Sequence, residues 1–191
     1  MKFKIKISKT NWIFLLSLDK IIVFYSLSLE ETIFFIGIIT DRNSENNIKS
    51  IMKSNIKDNN EIVFLNKENM ANYRNVKFDS IVLNDVVDGE DSNLEKILEK
   101  SKYTLLNSDI HCKNDEIIKY GANIITYGYN SKASVTISSA TEDDYMIFIQ
   151  DNICNANDLQ EIKFERSRNN INAYDGMILT IMDLIYDKNK K

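Results

Sequence analysis

NIITYGYNSKASVTISSA, Asn123 to Ala140, is where the sequence changes rhythm. Upstream, apolar runs with strand-like patterning alternate with stretches whose apolar residues recur at helical spacing. Downstream, ASVTISSA, DYMIFIQ and LQEIKFERS follow one another as strands with no helix between them. Strand–helix alternation predicts a mostly parallel sheet carrying helices, because parallel neighbours need a long crossover. A strand-only run predicts antiparallel pairing. The turn inside the stretch holds Gly128, Asn130, Lys132 and Ala133 in a chain with only five glycines. Gly128 suits an unusual backbone angle and Asn130 suits the turn.

Working towards the N-terminus, TIFFIGII and IIVFYSL are nearly continuous apolar runs, as expected of strands buried on both faces, whereas KFKIKI alternates like a half-exposed strand. TDRNSENN follows Ile39, with Ser44 as the expected N-cap of a helix through NIKSIMKSNI. EIVFLN, FDSIVLN and KYTLLNSD read as strands. ENMANYRN, DSNLEKILEKS (opened by Asp91 or Ser92) and DEIIKYG read as helices. At the other end, Ile171, Ala173, Met177, Ile178, Ile181, Met182 and Ile185 form a helical stripe. The expected fold class is α/β: a three-layer, mostly parallel Rossmann-like sheet flanked by helices, with an antiparallel strand extension near the C-terminus. Residues 1–191 are expected to form one domain, with 1–32 as added N-terminal strands.

Composition narrows the function classes. The chain has 191 residues, 43% of them hydrophobic and 27% charged, with a formal net charge of −4. A core is affordable at that length, and an acidic balance argues against nucleic acid as a partner, which needs a basic face. Two cysteines, Cys112 and Cys154, form no CxxC and no zinc spacing, which favours a reducing, cytoplasmic location. The apolar run WIFLLSL is cut by Asp19-Lys20 and its continuation by Glu30-Glu31, so no membrane span is expected.

In this class of sheet, ligands bind beyond the carboxyl ends of the strands. Those ends are Thr40-Asp41, Asn66-Lys67, Asn84-Asp85, Asn107-Ser108-Asp109 and Tyr127-Gly128. The residues around them carry a resemblance. TLLNSD (Thr104–Asp109), ITYGYNSKASVTISSA (Ile125–Ala140) and SRNNINAYDGMILTI (Ser167–Ile181) together resemble the central, ATP-binding domain of the Mur ligases. FDSIVLNDVVDGED (Phe78–Asp91) is similar to that family's strand leading to an Asp-His motif, and FIGIITDRNSENNIKSIM (Phe35–Met52) lies where the family has its phosphate loop. The resemblance spans about Ile33 to Ile185.

The departures matter more. TDRNSENN has neither the glycines that let backbone N–H groups approach phosphate nor the lysine that meets the terminal phosphates, and Asp41 and Glu45 would repel a polyphosphate. Glu90-Asp91 stands where the family's metal-binding Asp-His would be, and Asn169 where the His of its His-Asn motif would be. The lone histidine, His111, lies where the family has no catalytic one. By the same resemblance, some thirty residues are expected in place of the family's N-terminal domain, with the chain expected to end where its C-terminal domain would begin. The resemblance thus implies a scaffold without the chemistry: no catalytic residues, no metal and no cofactor.

The expected function is a non-catalytic, Mur-ligase-like interaction or scaffold module whose partner is another copy or another protein. The alternative is a small-ligand or nucleotide-binding regulator using Asn84, Asn107, Asp109, Gly128, Asn130 and Lys132. A divergent enzyme is third. The sequence cluster Asp109, His111 and Cys112 is a weak nucleophile or metal candidate without a second histidine. The acidic run Asp85, Asp88, Glu90, Asp91 lacks calcium-loop spacing. Trp12 and Phe14 read as core residues and not as a base-stacking platform.

Overall fold

The structure, a computed structural model, describes residues 4–6, 12–18, 21–26, 34–55, 60–111, 115–150, 153, 160–165 and 171–186. The chain forms two compact units, residues 1–32 and 33–191. In the first, β1 (Lys4–Lys6), β2 (Trp12–Leu18) and β3 (Ile21–Ser26) make an antiparallel sheet in that order. The side chains of Trp12 and Phe14, the two cysteines and Asn169 lie outside the described residues.

The second unit is α/β, built on one eight-stranded sheet. Its elements run β4 (Phe34–Ile39), α1 (Arg42–Asn55), β5 (Asn60–Phe64), α2 (Met70–Tyr73), β6 (Ser80–Leu83), α3 (Ser92–Lys100), β7 (Tyr103–Asn107), α4 (Ser108–His111), α5 (Asp115–Tyr120), β8 (Ile124–Tyr127), β9 (Val135–Ala140), β10 (Asp144–Ile149), β11 (Gln160–Glu165) and α6 (Ala173–Tyr186). The strand order is β11-β10-β9-β8-β7-β6-β4-β5. From β5 to β9 neighbours are parallel, and β9, β10 and β11 are antiparallel, as the two rhythms of the sequence predict.

The central strands are built to be covered on both sides. All four residues of β6 are buried, as are the last four of β4 and of β7. Their side chains enter two apolar clusters. Ile36, Ile38, Val82 and Leu105 meet Ile48 of α1 and Met177, Ile178, Ile181 and Met182 of α6. Ile39, Ile81, Leu83 and Leu106 meet Met70 of α2, Leu94, Ile97 and Leu98 of α3, and Ile117 of α5. Each such side chain contributes about 1.5–3 kcal/mol by leaving water. Gly37 leaves room for Ile81 of the neighbouring strand and for Leu65, because a Cβ there would come within 2.6 Å of Ile81 Cδ1 and 3.0 Å of Leu65 Cδ1.

Local signals explain the helix bounds. Asp91 caps α3 by accepting from Asn93 N at 2.8 Å, Glu95 lies in the first turn and Lys100 in the last, each suiting the helix dipole. For α1 the expected cap is corrected. Asp41 Oδ1, not Ser44, accepts the first free N–H groups, from Asn43 at 2.8 Å and Ser44 at 3.2 Å. The helix therefore begins at Arg42, and Ser44 becomes a buried residue of its first turn. An aspartate three residues nearer the strand takes the cap first.

The quoted stretch also departs from the simplest expectation. β8 and β9 are not a hairpin but touch in parallel at a single pair, Tyr127 with Val135. β9 thus starts at the level where β8 ends, and the antiparallel strands are stepped along the strand direction past the carboxyl ends of their parallel neighbours. At ~3.3 Å per residue, β9 runs on for nearly 20 Å. The sideways step is made by the turn at residues 128–134.

Candidate functional site

The carboxyl edge of the sheet is the ligand-binding side of such folds, and the switch point lies between β4 and β6, whose onward connections run in opposite directions. Here the strand ends are tied to one another. Asn84 Nδ2 donates to Thr40 Oγ1 at 3.0 Å, joining β6 to β4. Asn84 Oδ1 accepts from Asn107 Nδ2 at 3.0 Å and from the Tyr127 hydroxyl at 3.0 Å, joining β6 to β7 and β8. Asn107 and Tyr127 are fully buried and Asn84 nearly so. Burial pushes the Tyr127 hydroxyl well above its ordinary pKa, with Asp175 and Tyr174 adding to the effect, so it remains a donor. Buried amides are tolerated because each is paired.

A second knot lies outside the first. Asn107 Oδ1 accepts from Asp109 N at 3.1 Å, which turns the chain into α4. The Asp109 carboxylate then holds the turn after β8, accepting from Tyr129 N at 2.6 Å and Asn130 N at 3.2 Å, and from the Tyr174 hydroxyl of α6 at 3.1 Å. Burial raises the Tyr174 hydroxyl to about 12, helped by that bond and by the charge of Asp109. Gly128 makes the arrangement possible. Its φ is +154°, and a Cβ would lie 2.7 to 2.9 Å from the Asp109 carboxyl atoms. Asn130 Oδ1 closes the turn by accepting from Lys132 N at 2.9 Å.

The third feature is the start of α1, beside the switch point. A helix N-terminus attracts anions through its free N–H groups and dipole. Asp41 fills that place with its own carboxylate. Burial works against its ionisation, but the backbone N–H groups of Ser44 and Asn43 outweigh it and lower its pKa. The start of α6 faces the same region. Asn172 Oδ1 caps α6 through Asp175 N at 2.9 Å, while Asn172 Nδ2 donates to Asp175 Oδ2 at 2.9 Å and lies 3.3 Å from Ser44 Oγ.

Of the six candidate ligand residues, Asn84, Asn107, Asp109, Gly128 and Asn130 therefore belong to one hydrogen-bonded edge. Lys132 is at its rim, contributing a backbone N–H and an exposed side chain. Thr40, Tyr127, Asn172, Tyr174 and Asp175 complete the edge without having been candidates. Asn172-Ala-Tyr-Asp175 is a recognisable helix-start pattern, which was the available signal for two of them.

His111 is buried, and its Nε2–H donates to the carbonyl of Asp85 at 2.9 Å. Burial lowers its pKa, so the ring is a neutral strut between α4 and the loop after β6. In that loop Asp85, Asp88 and Asp91 each accept from a nearby backbone N–H, as turn residues do. No group of three or more metal-ligating side chains occurs among the described residues, and no described helix is long and apolar enough to cross a membrane. A cavity of about 180 Å³ opens at the ends of β4, β5 and β6, lined in part by Thr40, Leu65, Asn66, Lys67, Asp88 and Leu94. It is smaller than the ~300–1,000 Å³ common for organic ligands. No protein-family model matches the sequence, and no curated protein is significantly similar to it.

Proposed function

We propose that the chain is a non-catalytic interaction module on a three-layer, Rossmann-like scaffold of the Mur-ligase central-domain type, one that no longer takes a nucleotide. The observation that carries this reading is the Asp41 carboxylate, which occupies the anion position at the start of α1. A polyphosphate arriving there would have to displace a bonded carboxylate and face its charge, against a dipole attraction of only ~0.3–1 kcal/mol. The strand ends support the same view. The Asn84, Asn107, Tyr127 and Asp109 side chains already bond to one another or to the backbone, so they hold the edge together.

An interaction role is supported by what the edge presents outward. Val86 after β6, Ile110 in α4 after β7 and Tyr129 after β8 are exposed large apolar side chains that follow the carboxyl ends of three adjacent strands. Exposed apolar side chains clustered on one edge mark contact surfaces, and that is the reading proposed for this one. A protein partner, another copy included, is the expected occupant.

Sedimentation velocity over a dilution series, with Mg-ATP turnover measured on the same sample, tests the proposal. The expected result is no turnover and a mass that grows with concentration or with an added partner. Replacing Val86 and Tyr129 by serine is expected to weaken that association without unfolding the chain. Sustained ATP turnover would overturn the reading.

A further inference from the structure

Asp175 is fully buried, and its two carboxyl oxygens are unequal. Oδ2 accepts from Asn172 Nδ2 at 2.9 Å and lies 3.4 Å from Asn47 Nδ2. Oδ1 is buried and has no hydrogen-bond partner. A buried carboxylate oxygen without a hydrogen bond is costly, and protonation is the cheapest remedy available to it. The residue sits where two helices begin side by side. Asn172 bonds both Asp175 and Ser44, so the first turns of α1 and α6 share one small polar cluster.

We propose that Asp175 is a proton-operated latch between the starts of α1 and α6. With a proton on Oδ1, the orphan acceptor becomes a neutral hydroxyl, and the two first turns stay joined. Without it, a bare carboxylate oxygen is left inside the fold and the junction loosens. Since Asn172 and Ser44 both belong to the junction, loosening reaches the Asp41-capped start of α1, the place proposed above as closed to nucleotides.

The surrounding charges fit a group held near neutrality of charge. Burial pushes the Asp175 carboxyl up to about 6; Ser44 and Asn47 pull it down, and Asp41 on the α1 side pushes it up again. From β8 the facing group is Tyr127, which is buried and protonated. β9 carries no ionisable residue. On β10 and β11, Asp144 pairs with Lys163 at 2.9 Å, Glu161 and Glu165 are exposed, and the Tyr145 hydroxyl is 3.4 Å from the Ile171 carbonyl. On α6 itself Tyr174 turns to Asp109, and Asp183, in its last turns, is exposed. In the first turn of α1, Arg42 is exposed and Glu45 pairs with Lys49. No described cation neutralises Asp175.

Because the folded pKa is raised above 3.8, the stabilisation is fully present below about pH 4 and is lost as pH rises through about 6. Between pH 4.5 and 7.5 the unfolding constant is expected to rise roughly 25-fold through this one group. Two measurements on the full chain test it. Asp175→Asn, an uncharged amide that can donate, is compared with wild type by denaturant unfolding at both pH values. It should remove the 25-fold difference, and an undiminished difference would overturn the proposal. Should that variant fail to fold, the carbon-13 titration of the Asp175 carboxyl in wild type decides. A midpoint near 6, with amide exchange in the first turns of α1 and α6 quickening above it, supports the latch; a midpoint below 4.5 or unchanged exchange overturns it.

Discussion

Gly128 and Asp109 show how single residues fix the candidate site. The positive φ excludes a side chain on conformational grounds, and the carboxylate beneath excludes it sterically. Gly128→Ala is therefore expected to cost about 3 kcal/mol, read from the midpoint of a urea transition. A loss below about 1 kcal/mol would mean that the turn simply rearranges. Asp109→Ala leaves the N–H groups of Tyr129 and Asn130 without their acceptor and frees Tyr174. Amide exchange in the turn should rise at least tenfold, at a cost of about 1–2 kcal/mol. Asp175 adds a dependence on pH. The rise of its pKa from 3.8 to about 6 makes the fold about 3 kcal/mol more stable with respect to this group below pH 4 than above pH 7. The Asp175→Asn comparison isolates that slope from the general acid response of the other carboxylates.

At the scale of the element, caps decide where helices start and hence what the strand ends can do. Asp41→Ala removes the acceptor of two N–H groups of α1 and is expected to cost about 1 kcal/mol, with faster exchange confined to the first turn. Loss spread evenly over α1 would show that the cap was not what held it. The sequence made most elements readable, since apolar runs such as TIFFIGII and the stripe from Ala173 to Met182 follow the periods of strand and helix. It did not reveal α4, a four-residue turn of helix that starts because Asn107 Oδ1 captures Asp109 N. Nor did it reveal the parallel meeting of β8 and β9, which depends on one backbone pair and the Gly128 step. Asn84, Asn107 and Asp109 stood out as polar residues at strand ends. That they bind one another is a property of neighbouring strands, set by sheet order and invisible in local pattern. Tyr127 was hidden for a related reason: it reads as the aromatic end of a buried strand, and its hydroxyl finds Asn84 only when the sheet assembles.

At the scale of the whole molecule, the proposal is that a nucleotide-type scaffold has its binding edge closed from within. The eight-stranded sheet places the switch point, Asp41 fills the anion position beside it, and the Asn84–Asn107–Tyr127 knot ties the strand ends together. Exposed Val86, Ile110 and Tyr129 follow the ends of three adjacent strands, and the proposal assigns them to a macromolecular contact. The most direct test is thermal unfolding of the full chain with and without millimolar Mg-ATP, Mg-ADP and UDP-sugars. A site occupied at ~100 times its dissociation constant would add about 2.7 kcal/mol, a shift of roughly 5–10 °C for a chain of this size. No shift beyond about 1 °C is expected with any of them; a reproducible rise of several degrees with a nucleotide would contradict the closed-edge reading.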